Sequence, residues 1–115
     1  MESILTSIKK LLGIPEEYAH FDVDIIMHIN SVFMTLNQLG VGPREGFIVK
    51  DDSQTWSEFL GTTNVMQLEA AKTYTYLNVK MIFDSSSMSS SVLDAYKRQS
   101  DEYAWRLIAQ VEGKE

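Results

Sequence analysis

Apolar residues recur along this chain with a period near 3.6 in several stretches, each bounded by residues that start or stop helices. Ile4, Leu5, Ile8, Leu11 and Leu12 share one side of a helix over residues 3–12, with Gly13 and Pro15 as stop signals. The pattern resumes at Asp22, whose side chain suits a helix cap, and runs to Leu39, with Gly40 as the terminating residue. Ile25, Ile26, Ile29, Val32, Phe33, Leu36 and Leu39 form its main apolar face. At about 100° per residue, Val23, Met27 and Met34 fall on a different side and make a second, narrower stripe. Such a stripe is either secondary core or a partner groove, and secondary core is the commoner use of Met at this spacing.

Residues 40–54 break the periodicity with Gly40, Gly42, Pro43 and Gly46, which predicts a long loop with a short extended piece at residues 47–49. Loops of that length in small domains are usually functional. Gly tolerates positive φ and Pro fixes its own, so residues 44–52 are expected to leave the bundle sharply and project away from the core. Thr55 and Glu58 fit a capping box that opens one short helical turn, closed by Gly61.

Asn64 then caps a helix reaching Phe83. Its wheel sets a main face of Met66, Ala70, Tyr74, Leu77 and Met81 against a second one of Val65, Leu68, Tyr76, Val79 and Phe83. A helix apolar around most of its circumference is covered on more than one side. Residues 84–91 form a Ser-rich connection, and a last helix over residues 92–111 carries Leu93, Tyr96, Tyr103, Ala104, Leu107 and Val111 on one stripe. Trp105 points about 160° from Leu107, onto the side with Asp94, Arg98 and Asp101. These elements predict an all-α fold: a small helical bundle of one domain, residues 1–115, with a long loop between the second helix and a short helical turn.

Composition narrows the function. Apolar residues make up 44% of the 115, which excludes global disorder. The absence of Cys removes disulfides, thiolate metal sites and Cys nucleophiles. Ten Lys and Arg against sixteen Asp and Glu leave a charge of −6, which opposes non-specific nucleic-acid binding. Lys9 and Lys10 interrupt the first apolar stretch, no cleavage site follows it, and no stretch reaches eighteen uncharged apolar residues. The expectation is a soluble protein, without a membrane association, folded in a reducing cytoplasm.

Chemistry-bearing residues gather only at residues 20–28, where Asp24 and His28 lie four apart on one helix face and His20 and Asp22 precede them. A metal-dependent hydrolase could be built there, but the same residues are explained by Asp22 as a cap, Asp24 at the positive end of the helix and a surface His28. No phosphate loop or nucleophile motif occurs, so neither an enzyme nor a cofactor is expected. Tyr96, Lys97 and Arg98 suggest a stacking surface for single strands, yet the wheel puts Tyr96 in the core stripe and the two cations in solvent.

The segments FDVDIIMHINSVFMTLNQLGVGP, GFIV, TWSEFLG, KTYTYLNVKMIFD and AYKRQSDEYAWRLIAQVE occur in an order that resembles the head-tail connector proteins of tailed bacteriophages and prophages. The resemblance covers nearly the whole chain, with Ser85 to Ser87 standing where the family often has prolines. It implies a structural adaptor that assembles as a homo-oligomeric ring beneath the portal protein, contacts a tail or downstream neck protein, and extends a channel through which DNA passes without specific binding. It places the protein in the virion, at the head-tail junction, after synthesis in the bacterial host cytoplasm.

On that reading the candidate contacts with subunit or portal are Met27 and Met34 of the second stripe, and Gly42, Pro43, Arg44, Phe47 and Ile48 of the loop. Tyr76, Trp105 and, at the C-terminal end, Glu112 complete the set. The loop is expected to meet a neighbouring subunit or the channel, and residues 112–115 to gain order on the portal. The alternative is a small acidic helical regulator that binds a host or phage protein.

Overall fold

Each helix begins and ends through local chemistry. In the computed structural model, which describes residues 2–112, Ser3 caps α1 (Ile4–Leu11) by accepting the Thr6 amide at 3.2 Å. Helix α2 (Asp22–Gln38) closes in a Schellman motif: the Gly40 amide reaches the Asn37 carbonyl at 3.0 Å and the Val41 amide reaches Leu36 at 2.9 Å. Gly40 supplies the required positive φ of 85°, and Val41 folds into the core beside Leu36. Thr55 and Glu58 form the capping box of α3 (Trp56–Leu60), which Gly61 ends in the left-handed region. Asn64 caps α4 (Val65–Phe83) through the Gln67 amide at 3.1 Å. A single 3-10 turn, Ser85–Ser87, leads into α5 (Ser90–Glu112), so the Ser-rich connection is shorter than expected and its last two serines are helical.

These five α-helices, with no strand among the described residues, make the all-α bundle that the pattern predicts. Helix α4 is central, with α1, α2, α3 and α5 all packed against it. That explains why its sequence is apolar on nearly every side. Its wheel is rotated from expectation, however: Ala70, Ala71, Tyr74, Leu77 and Val79 are buried, as is Thr75, while Val65 and Met66 stand exposed in an uncovered first turn. The main face of α2 is buried as read, through Ile25, Ile29, Val32, Phe33 and Leu36.

Asp22 is not a cap. Phe21 occupies that position without a side-chain bond, and the Asp22 carboxylate instead pairs with the Lys9 ammonium at 2.8 Å. Lys9, only 2% exposed, also donates to the Glu16 carbonyl at 2.8 Å, so the pair ties the end of α1 to the start of α2. Trp56 performs the same service for α3: its indole N–H donates to Ser7 Oγ at 2.8 Å, and Ser7 in turn donates to the Ile4 carbonyl. Between α4 and α5, Asn78 donates to Ser100 Oγ at 2.8 Å and to the Tyr74 carbonyl at 2.9 Å.

Candidate functional site

The loop of residues 40–54 does not project. It lies as a strap across α2, held by two asparagines seven residues apart and hence on one face of that helix. Asn30 Nδ2 donates to the Val49 carbonyl at 3.0 Å while its Oδ1 accepts the Val49 amide at 2.8 Å, so one carboxamide pairs with Val49 as a neighbouring strand would. Asn37 Nδ2 donates to the carbonyls of Pro43 and Arg44, at 3.1 and 3.3 Å. Residues 47–49 alternate in, out, in: Val49 is buried, Ile48 faces solvent, and the half-buried Phe47 ring lies 5.4 Å from Phe59 and 6.2 Å from Phe33. The alternation fits the extended piece predicted there, although no strand pairs with it.

Gly42 has a packing reason beside any interface role. Its φ is 87°, and a Cβ there would stand 2.5 Å from Phe59 Cε1. Phe59 is itself stacked on Phe33, with centroids 4.1 Å apart and planes 5° from parallel. At the far end of the strap, the Ser53 hydroxyl and amide hydrogen-bond Asp51 and hold its carboxyl below the usual aspartate range.

The second stripe of α2 is surface rather than secondary core. Met27 is 59% exposed and Met34 69%, because the strap covers only the Asn30 and Asn37 positions of that face and leaves the methionines between and beyond them open. Where the strap meets α2 there is a cleft of about 410 Å³, walled by Phe33, Met34, Phe47 and Ile48 and rimmed by polar side chains that include Asn30 and Glu45.

Trp105 is 68% exposed on α5, so it is not a second core contact under the loop or the first helix. Beside it Arg106 pairs with Glu102 at 2.7 Å and lies 4.9 Å from the Tyr103 ring centre. Tyr76 is half-buried on the α4–α5 seam, where burial and a hydrogen bond with Tyr96 raise its hydroxyl above the usual tyrosine range. Pro43 is half-buried and Arg44 exposed on the strap. Glu112 closes α5; its side chain and residues 113–115 lie outside the described residues.

Of the described residues weighed as metal ligands, only Asp22 is held by an ion pair. The His20 ring sits 4.8 Å from Phe21, His28 lies 6.5 Å from Phe83, and Asp22 belongs to Lys9. Among the described residues no three His, Asp or Glu side chains converge as a metal-binding group. None of the helices is long and apolar enough to cross a membrane.

Asn30 and Asn37 were not singled out by pattern reading, although they organise the candidate surface. The available signal was their seven-residue spacing on a face that also carries Met27 and Met34, together with the alternation at residues 47–49. Neither the curated proteins nor the solved structures give a match to this chain. A family model described as phage connector protein, by contrast, matches residues 4–114, which takes in all five helices and the strap. The chain therefore belongs to the phage connector protein family.

Proposed function

We propose that this chain is an adaptor subunit forming a homo-oligomeric ring between the portal protein at the capsid vertex and the tail or next neck protein. The observation that carries the reading is the presence, on one connector-family chain, of two separate and unlike exposed features: the apolar α2 stripe with its strap, and Trp105 on an otherwise charged side of α5. A ring repeats one contact between unlike surfaces, so each subunit must present two of them. The charge of −6 suits a channel through which DNA slides, because tight binding to DNA requires protein cations that displace its counterions. In this reading residues 1–115 act as one connector domain at the head-tail junction, made in the host cytoplasm and needing no cofactor or membrane.

The test is to mix the purified chain with the portal protein of the same phage and weigh the product by native mass spectrometry. Portal is included because a ring that closed early would compete with ordered assembly. A closed oligomer of this chain carried on the portal is the expected result. A monomer or dimer indifferent to portal refutes the adaptor and favours an acidic helical regulator.

A further inference from the structure

We propose that the cleft between α2 and the strap receives Trp105 of a second copy of this chain. The inference rests on the ring reading above and names its contact. Shape is the first argument. The cleft, about 410 Å³, is concave and walled by two Phe, one Met and one Ile, and Trp105 is the only Trp that stands out from the surface, since Trp56 is buried. The two features sit on α2 and α5, separate helices that both pack on α4. A contact between them joins unlike surfaces and leaves a free cleft at one end and a free Trp at the other, which is the condition for head-to-tail growth and closure.

Charge is the second argument. Two copies at −6 each repel over most approaches. On the Trp105 helix, however, Arg98 and Arg106 stand among Asp101 and Glu102, with Arg106 paired to Glu102, and at the cleft, among the described residues, Glu45 is the one charged lining residue beside the neutral Asn30, Asn37 and Gln38. Both surfaces carry little net charge and the Trp105 helix offers cations toward Glu45, so this approach meets less of the net repulsion.

Area is the third. Burying a Trp contributes about 150–250 Å², against the roughly 800 Å² per partner of a standard interface. Met27, Met34 and Ile48, all exposed, add to it on the other side. One such contact between free copies is consequently weak. A closed ring, where every copy makes it twice, is favoured over an isolated pair.

Emission and sedimentation together test the contact. Trp56 is only 2% exposed and keeps a constant emission, so a blue shift on raising the chain from micromolar to millimolar reports burial of Trp105. Association with that shift is expected in the wild type. Trp105→Ala and Met34→Lys should each weaken association at least tenfold without moving the thermal midpoint, because both side chains are exposed in the monomer. An equimolar mixture of the two variants should form dimers and stop there, since each supplies the half that the other lacks. No association at millimolar concentration, association undiminished in both variants, or a mixture that forms no dimer overturns the inference. If both variants still form rings on the portal, the adaptor reading stands and only this contact falls; if the wild type forms none on the portal, the adaptor reading falls first.

Discussion

Replacing Asn30 with Ala would remove the one side chain that satisfies both backbone polar groups of Val49. The Asn30 carboxamide accepts the Val49 amide at 2.8 Å and donates to its carbonyl at 3.0 Å, and the Val49 side chain is buried. A buried donor or acceptor left without a partner costs about 1–3 kcal/mol. Two such groups would cost about 2–6 kcal/mol, and because Asn30 is half-buried and water reaches part of the vacated space, a loss of about 2–3 kcal/mol, at the low end, is expected. Urea unfolding of the purified chain should show this loss as a lower midpoint with an unchanged slope. Hydrogen exchange should show more: the Val49 amide should lose protection by a larger factor than the α4 amides, which report only the global change. Asn30→Asp keeps the acceptor for the Val49 amide but sets a second oxygen against its carbonyl, so it should not rescue stability. A loss under about 0.5 kcal/mol with Val49 protection intact would refute the reasoning, and would mean that Phe47 and Val49 packing alone holds the strap. The same geometry replaces the projecting loop expected from its Gly and Pro residues with a strap that is part of the core. Deleting residues 45–50 would strip Phe47 and Val49 from the Phe33 and Phe59 cluster, so the shortened monomer should be destabilised rather than merely unable to assemble.

The elements most legible in the sequence are those whose causes are local. Thr55 with Glu58, Asn64, Gly13, Gly40 and Gly61 mark helix ends through bonds that span three or four residues, and the structure places those ends where the pattern put them. Asp22 shows the limit of that logic. Its type suits a cap, but the partner that claims it is Lys9, which no local rule brings near. The strap was illegible for the same reason: Gly and Pro announce a departure from the helix, whereas the return depends on Asn30 finding Val49, nineteen residues away. Apolar periodicity likewise says which positions share a face and not whether anything covers it. Met66, placed on the main apolar face of its helix, stands exposed, and Met27 and Met34, whose stripe fits secondary core or a partner groove by its spacing, stand exposed too, as does Trp105 opposite its own helix's stripe. For a connector, uncovered apolar positions are where contacts with other subunits are expected, so exposure at Met27 and Met34 favours the groove over the core reading of their stripe. The family, in contrast, was legible from the order of its segments along the chain, since the match over residues 4–114 depends on sequence alone.

Alkaline pH should weaken the fold through its tyrosines. Burial, with the charge of Asp101, raises the Tyr74 hydroxyl, and burial with the Tyr96 hydrogen bond raises Tyr76. The folded state therefore keeps protons that the unfolded chain releases near pH 10, and stability present below about pH 10 is lost as pH rises toward the folded-state values. Lys80, held charged by its hydrogen bond to Asp84, loses its contribution in the same direction, so the tyrosine share is the part of the decline in urea midpoint that Tyr74→Phe with Tyr76→Phe removes; an unchanged pH profile in that double variant would contradict it. Gly42→Ala tests the strap from its other end, independently of hydrogen bonds. At φ 87° an L residue bears about 1–2 kcal/mol of backbone strain. Its Cβ would also meet Phe59 Cε1 at 2.5 Å, and because Phe59 is stacked between its neighbours and buried it cannot swing clear without disturbing Phe33. Overpacking of this kind costs about 1–3 kcal/mol, so the expected loss is about 2–5 kcal/mol by the sum of the two. Gly46→Ala is the matched control, with a similar φ of 95° and nothing within 4 Å of its Cβ, and it should show the backbone strain alone. Equal losses in the two variants, measured by urea unfolding, would show that the Phe59 contact contributes nothing and that only the turn at Gly42 requires glycine.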